Sequence, residues 1–476
     1  MTKYKLPDDL YLYQVEDSNR MLSEGNYLNF SEMGVGKTPE TLNVIEKGGF
    51  NLPLIICPNS IRFEWKRQID EWIGPDMCAV CSGDSGMKAS MLYRSFKVGK
   101  KYRIINYEAL RTPFLFEMLS CIPWDIIVFD EIHKLRNPKT QLVEGKVKEK
   151  WDWNNREGGV WRLLNKHPDA KILGLSGSPI MNYPNDLYVP LSCIKPDKYP
   201  RNAGSWRRFV YKYCLWTDGR FGTYIYGTRN IDQLRTETSP FTIRRTKEEV
   251  LPYLPEKYYR RVLLEMKTDQ RKLYDQMEQE LKILLDTGEP LWSTNVLSCL
   301  TRLRQINLDP KIIGVTSSSA KTEFIMDMVD STDDKLVIFS CFEKYIFLLH
   351  LLLQDIPHSM ITGRVNPDKR LEEVKKFQED DSIKLCLGTI QAMGEGITLT
   401  ASSNLIISDR WWNRPTNTQS EDRLHRIGQK NAVQVILPIV DKSIDALLDE
   451  ILEKKHEASQ AYYQEAEIRQ TILGGL

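Results

Sequence analysis

Ser31-Glu-Met-Gly-Val-Gly-Lys-Thr38 follows the short extended run Tyr27-Leu-Asn-Phe30 and opens a helix that begins Pro39-Glu-Thr-Leu. Strand, glycine loop and helix in that order make a cradle for phosphate. Gly34 and Gly36, with Val35 between them, let backbone N–H groups close on phosphate oxygens, and the helix N-terminus adds partial positive charge. Lys37 is placed to reach the terminal phosphates, and the Thr38 hydroxyl to ligate magnesium. Pro39 suits a first helical turn, where its missing N–H costs nothing. Ser31 stands where the strict pattern has its first glycine, and a G-x-G-K-T string alone also occurs in ordinary turns.

A second string narrows the reading. Ile126-Ile-Val-Phe-Asp130-Glu131-Ile132-His133 sets two carboxylates directly after an apolar strand. Such a pair divides the work of phosphate hydrolysis: Asp130 holds the magnesium and Glu131 orients and deprotonates the attacking water. ATP and Mg2+ are the cofactors this combination predicts.

The rest of the chain supplies the scaffold. Short apolar runs alternate with longer amphipathic stretches, as in an α/β protein with parallel sheets covered on both faces. Strand candidates in the first half are Leu54–Cys57, Tyr102–Asn106, Asp125–Phe129 and Lys171–Leu175. Those of the second half are Lys335–Phe339, Lys384–Leu387, Asn404–Ser408 and Val433–Leu437. From about Asp186 to Pro240 the chain is rich in Trp, Tyr and Arg without strand rhythm, and from Asp269 to Asn307 the pattern is helical. The predicted organisation is two α/β lobes with mainly helical insertions: a lobe over 1–240 (insertion about 186–240), a linker over 241–262, a helical protrusion over 263–318 and a second lobe over 319–476.

Composition excludes several classes. The 476 residues are 41% hydrophobic and 27% charged, enough for sizeable cores. No apolar run approaches the ~20 residues of a membrane span, and Met1-Thr-Lys-Tyr-Lys lacks the apolar region of a signal peptide. A membrane partner is therefore not expected. Nine cysteines, an odd number lying mostly in apolar runs, fit a reducing compartment. Cys78-Ala-Val-Cys81 has no second pair and no nearby His, so buried strand cysteines are expected there, not zinc. The predicted location is the cytoplasm of a bacterium or infected host cell, or a eukaryotic nucleus. Net charge is +1, yet Arg244, Arg245, Lys247, Lys257, Arg260 and Arg261 form a local basic cluster.

In motif order the chain resembles superfamily 2 helicase-like ATPases, and within them the Swi/Snf-type DNA translocases. Tyr13-Gln14 is similar to the Q motif, Glu32–Thr38 to motif I, Ile55–Pro58 with Trp65 to motif Ia. Asp130–His133 with Arg136-Asn137 resembles motif II, and Leu175–Pro179 with Asn182 motif III. Ile243–Val250 matches the family's inter-lobe segment, and Leu303–Ile306 with Pro310 and Lys321 the stretch that enters the second lobe. Lys335–Phe339, Ile390–Leu399, Asp409–Asn413 and Gln419–Gln429 resemble motifs IV to VI.

The resemblance implies two RecA-like lobes, with Gln14 reading adenine and Gly396 lying in the nucleotide site. It also implies that Arg423 and Arg426 supply positive charge to ATP held on the other lobe. Three apart, those arginines share a face on a helix, and such a finger is worth roughly 10³–10⁵ in rate. Double-stranded DNA is the implied partner, with single-stranded DNA or RNA as alternatives; a strand-separating or an annealing and fork-remodelling helicase is the competing function. No chromatin-reading module is recognisable, which favours a compact bacterial or viral motor.

Departures from the family pattern are Ser31, Ile132 in place of a small residue, and Thr398 where most Swi/Snf relatives carry Asn. Thr398 is more like the annealing branch. The segment Trp151-Asp-Trp153 to Trp161 reads equally as a base-stacking surface or as a tryptophan-anchored loop. For Trp411-Trp412, core packing is expected.

Overall fold

Five-residue runs dense in Ile, Val and Leu are too short for buried helices and fold as strands. The computed structural model describes residues 6, 8–135, 140–143, 146–151, 156–180, 183–219, 222–286, 294–393, 397–412 and 414–457. It divides into two units, Met1–Pro252 and Tyr253–Leu476.

The first unit holds β1 (Tyr27–Asn29), β2 (Pro53–Cys57), β3 (Cys78–Val80), β4 (Tyr102–Asn106), β5 (Ile126–Asp130), β6 (Thr140–Val143), β7 (Lys146–Trp151), β8 (Lys171–Leu175), β9 (Cys214–Gly219), β10 (Gly222–Thr228) and β11 (Thr242–Ile243). Seven of them form one parallel sheet in the order β11-β1-β8-β5-β2-β4-β3. Its central strands are buried along their whole length by the flanking helices, as their continuous apolar character requires. Asn29 pairs with Leu175 and Leu175 with Asp130, so β1, β8 and β5 end at one level. Everything that follows these three strands emerges together.

The second unit holds β12 (Lys257–Leu264), β13 (Leu336–Ser340), β14 (His358–Ile361), β15 (Leu385–Thr389), β16 (Asn404–Ile407) and β17 (Val433–Val440). They form a parallel sheet in the order β12-β17-β16-β13-β15-β14. The helices Thr268–Asp286 and Thr294–Leu308 pack through Tyr274, Leu281 and Leu303 against Ile444 and Leu448 of the helix Ile444–Glu457. Trp412 is buried in that cluster under the guanidinium of Arg304, 4.6 Å from its ring centroid, and Trp411 is partly buried beside it. Core packing is the outcome for this pair.

Three expectations change. The insertion 186–240 is not simply helical: β9 and β10 form an antiparallel hairpin within it. Cys214-Leu-Trp-Thr and Tyr224-Ile-Tyr are good strand formers on either side of the turn signal Asp218-Gly219, a cue masked by the scarcity of Val and Ile. The linker 241–262 is not a free connection, because its first part is edge strand β11 of one sheet and its last part begins edge strand β12 of the other. Three of its basic residues are committed to ion pairs, while Arg244 and Arg260 are exposed. Arg245 forms a bidentate pair with buried Asp17, Lys257 lies 2.9 Å from Glu421, and Arg261 3.0 Å from Asp449.

Cys78 and Cys81 are buried free thiols whose pKa values burial pushes up to about 11 and about 12. Among the described residues no helix is long and apolar enough to cross a membrane.

Candidate functional site

The turn out of β1 is built for backbone exposure. Gly34 and Gly36 sit at φ +82° and +91°, left-handed values that side chains disfavour. Gly36 is constrained twice over, since a Cβ there would meet the Gln14 amide nitrogen at 2.1 Å. It is also the N-cap of the helix Lys37–Lys47, whose first turn holds Thr38 and Pro39 as expected. The buried Gln14 donates to the Val35 carbonyl at 3.1 Å and accepts from Tyr11 N–H at 3.0 Å; the Tyr13 hydroxyl donates to the same Val35 carbonyl. The Q-motif side chain is thus fastened to the glycine loop.

Ser31 has a local reason. Its buried hydroxyl accepts the Arg245 N–H at 3.1 Å, its own N–H donates to Asn29, and its carbonyl accepts Lys37 Nζ at 2.7 Å. Glu32 continues the same seam: its N–H donates to the Arg245 carbonyl and its carboxylate accepts Lys247 N–H at 3.0 Å. A glycine at position 31 would lose the hydroxyl that ties the loop to this segment.

Beyond β5, Asp130 Oδ2 accepts the indole N–H of buried Trp65 at 2.7 Å, and Oδ1 accepts Glu131 N–H at 2.8 Å. Tyr107 donates to the Asp130 carbonyl at 2.8 Å. Burial first, then the charge of Glu131, pushes the Asp130 carboxyl up to about 7, while Trp65 and the Lys37 ammonium pull the other way. Glu131 adopts φ +53°, a left-handed value uncommon for a side-chain-bearing residue. Its Oε2 lies 3.1 Å from His133 Nδ1, which is 2.9 Å from the Ser176 hydroxyl after β8.

The third of the level loops, Ser176-Gly177-Ser178, brings Gly177 close enough that a Cβ there would lie 3.5 Å from Lys37 Nζ. Lysine, loop and carboxylates therefore share one end of the sheet. Ile132 is accommodated by the same strand: Gly174 leaves the space where a Cβ would meet Ile132 Cδ1 at 2.7 Å. The departure at 132 is matched by an absent side chain at 174.

In the second unit Arg423 and Arg426 follow the helix Arg414–Glu421, in turns and not on a helix. They still converge: both guanidiniums reach the Ile397 carbonyl, at 3.5 and 3.0 Å. Gln429 secures the turn by donating to the Ser402 carbonyl at 2.9 Å. Asp409 accepts from Arg304 at 2.9 Å, from Ser340 Oγ at 2.6 Å and from Cys341 N–H at 3.0 Å, which fixes the start of the Asp409–Trp412 string. Gly396, Arg136, Asn137, Asn182, Asn413 and Trp153 lie outside the described residues. Trp161 is buried and donates to Ser192 Oγ at 2.9 Å, so that tryptophan is a structural anchor.

Sequence reasoning passed over Tyr107 and gave Trp65, His133 and Ser176 no role of their own. Neither aromatic is signalled locally, since Trp65 lies 65 residues and Tyr107 23 residues from Asp130. For a nucleotide and its metal the donor set fits: open backbone N–H groups, one ammonium, one hydroxyl and two adjacent carboxyls whose mutual repulsion a divalent cation relieves.

The SNF2-related domain matches residues 19–312 and the helicase conserved C-terminal domain residues 320–428. A DNA annealing helicase and endonuclease, ZRANB3, of Bos taurus is 24% identical over 453 residues, covering 92% of this chain and 39% of its own length. An uncharacterized ATP-dependent helicase of Mycoplasma pneumoniae is 28% identical over 442 residues, covering 90% of this chain and 39% of its own. The chain thus spans about two fifths of the length of these relatives. Among solved structures, the Sulfolobus solfataricus SWI2/SNF2 ATPase core in complex with dsDNA is 22% identical, covers 100% of this chain and 95% of its own, and has a TM-score of 0.42. With more than half its length inside the first of these domains and much of the remainder inside the second, the chain belongs to the SNF2-related family.

Proposed function

We propose that the chain is a DNA-dependent ATPase that couples hydrolysis to movement along double-stranded DNA. The observation that carries this reading is the common level at which β1, β8 and β5 end, bringing the glycine loop, Gly177 and the Asp130–Glu131 pair to one end of a parallel sheet. That is where ligands bind in open α/β sheets. The N–H groups of Gly34, Val35 and Gly36 and the Lys37 ammonium hold phosphates, and Gln14 sets the loop and the adenine end. Thr38 and Asp130 would hold Mg2+, whose charge would offset that of the phosphates. Glu131 orients the attacking water and takes its proton, with the His133 ring 3.1 Å from its carboxylate. The motif resemblance assigns Arg423, Arg426 and Gly396 to nucleotide hydrolysis as well.

The test is steady-state ATP hydrolysis with duplex DNA, single-stranded DNA and RNA as separate stimulants, on wild type and Lys37→Ala. Duplex should stimulate most, and Lys37→Ala should abolish turnover while melting within a few degrees of wild type. Stimulation by RNA alone, or a Lys37→Ala enzyme within a few-fold of wild type, contradicts the reading.

Annealing of complementary strands is the second reading. Thr398, together with relatives named as annealing helicases, supports it. ATP-dependent re-pairing of a single-stranded bubble measures it directly.

A further inference from the structure

Lys and Arg outnumber Asp and Glu by one in the whole chain, 65 to 64, yet from Arg201 to Asn230 six Lys or Arg face one Asp. The same stretch holds eight Phe, Trp or Tyr. It comprises the helix Ala203–Tyr213 and the hairpin β9–β10.

Its aromatics divide by position. Phe209 and Tyr213 are buried; Phe209 meets Tyr188 and Tyr199 edge-on, its centroid 5.4 Å from that of Tyr188, and Tyr213 tilts against Phe209 at 4.8 Å. Beneath the hairpin, Val210, Cys214, Ile225 and Tyr183 form a small core of their own. Tyr211 and Trp216 pack against the edge of this small core, partly buried, and stack on each other 4.1 Å apart at 22°. Exposed Arg208 bonds Ser205 Oγ at 2.7 Å and exposed Arg229 bonds the Lys212 carbonyl at 3.3 Å, so both are held by one bond with donors to spare. Glu237 neutralises Lys212, at 2.6 Å, and leaves the arginines.

A stacked aromatic pair left at a surface among guanidiniums suits bases for the rings and phosphates for the cations. In an intact duplex the base faces are covered by one another. Only unpaired bases offer them. A protein partner would also cover the rings, but the excess of basic residues that remains after Lys212 is paired with Glu237 favours a polyanion.

We propose that this helix and hairpin form a stacking platform for unpaired DNA bases, which directs the proposed motor to duplex that ends in single strands. The inference rests on the DNA-dependent reading above.

The experiment is fluorescence anisotropy of the full chain with a blunt duplex and with a forked duplex of equal paired length, at one salt concentration. ATP hydrolysis is measured on the same two substrates. The forked duplex should bind about tenfold more tightly, the scale of one stacked base. Trp216→Ala and Tyr211→Ala should remove that preference, and Trp216→Phe should retain it. Arg208→Glu, at an exposed position, should weaken fork binding with an unchanged melting temperature, which covers the case of a misfolded Trp216→Ala hairpin. Equal binding of fork and blunt duplex by wild type, or a full preference in both alanine variants, overturns the platform. Hydrolysis stimulated by blunt duplex without any fork preference sinks the platform and spares the motor. A fork preference without DNA-stimulated hydrolysis does the reverse.

Discussion

Asp130 and Glu131 are neighbours with different supports, and the difference predicts different defects. Asp130 is held by Trp65 N–H and the Glu131 N–H, in reach of Lys37; Glu131 is held at a left-handed φ beside His133. Glu131→Gln should still bind ATP and magnesium but hydrolyse slowly and accumulate the bound state. Asp130→Asn should lose magnesium-dependent binding itself. Nucleotide-binding titrations with and without magnesium separate the two, and equal loss of binding in both variants would show the roles misassigned. Trp65 acts one step back. Trp65→Phe keeps the ring that fills the core but removes the N–H from Asp130, so activity should fall by about 10–100-fold. The variant should need more magnesium for half-maximal rate, a shift that lost packing alone would not produce.

At the scale of elements, the joint between β8 and the turn after β5 is a matched pair of departures. Gly174→Ala should overpack against Ile132 and Leu28 and destabilise the unit by about 1–3 kcal/mol. Ile132→Ala should cost less stability in the Gly174→Ala background than in wild type; additive losses would falsify the pairing.

How far such elements can be read in advance depends on what makes them. The buried strands are legible because parallel pairing covers both faces and leaves continuous apolar runs such as Leu54-Ile-Ile-Cys57. The glycine loop and carboxylates are legible because phosphate and metal chemistry admits few residue types. The β9–β10 hairpin is obscured by its Trp and Tyr, which resemble surface insertion more than strand. Arg423 and Arg426 converge on Ile397 through turns, a tertiary arrangement that spacing alone reads as helix. Trp65 and Tyr107 lie far in sequence from the Asp130 they hold, so no local pattern names them.

For the whole molecule, the glycine loop and carboxylates belong to one unit and Arg423 and Arg426 to the other, which makes DNA-gated hydrolysis the natural expectation. If DNA binds both units, it offsets the entropy of ordering them and raises the competent fraction. Basal turnover should be low, duplex should raise it at least about tenfold, and the gain should fall steeply with salt because it depends on phosphate contacts. Arg426→Ala should keep DNA affinity and lose stimulation, since it removes transition-state charge and not a track contact. Turnover equally fast without DNA would sink the gating idea, and a stimulated Arg426→Ala would remove the proposed finger. The seam between the glycine loop and residues 243–247 has a mechanical side as well. Phe30 N–H to Ile243, Glu32 N–H to Arg245, Arg245 N–H to Ser31 and Lys247 N–H to Glu32 lie in succession along the chain that leaves the first unit at Pro252. Tension drawn along that strand meets these bonds in shear, all at once, and not one after another as in unzipping. If the proposed movement along DNA loads this connection, the chain is fastened where recoil would otherwise peel it apart, by the same contacts that shape its phosphate loop.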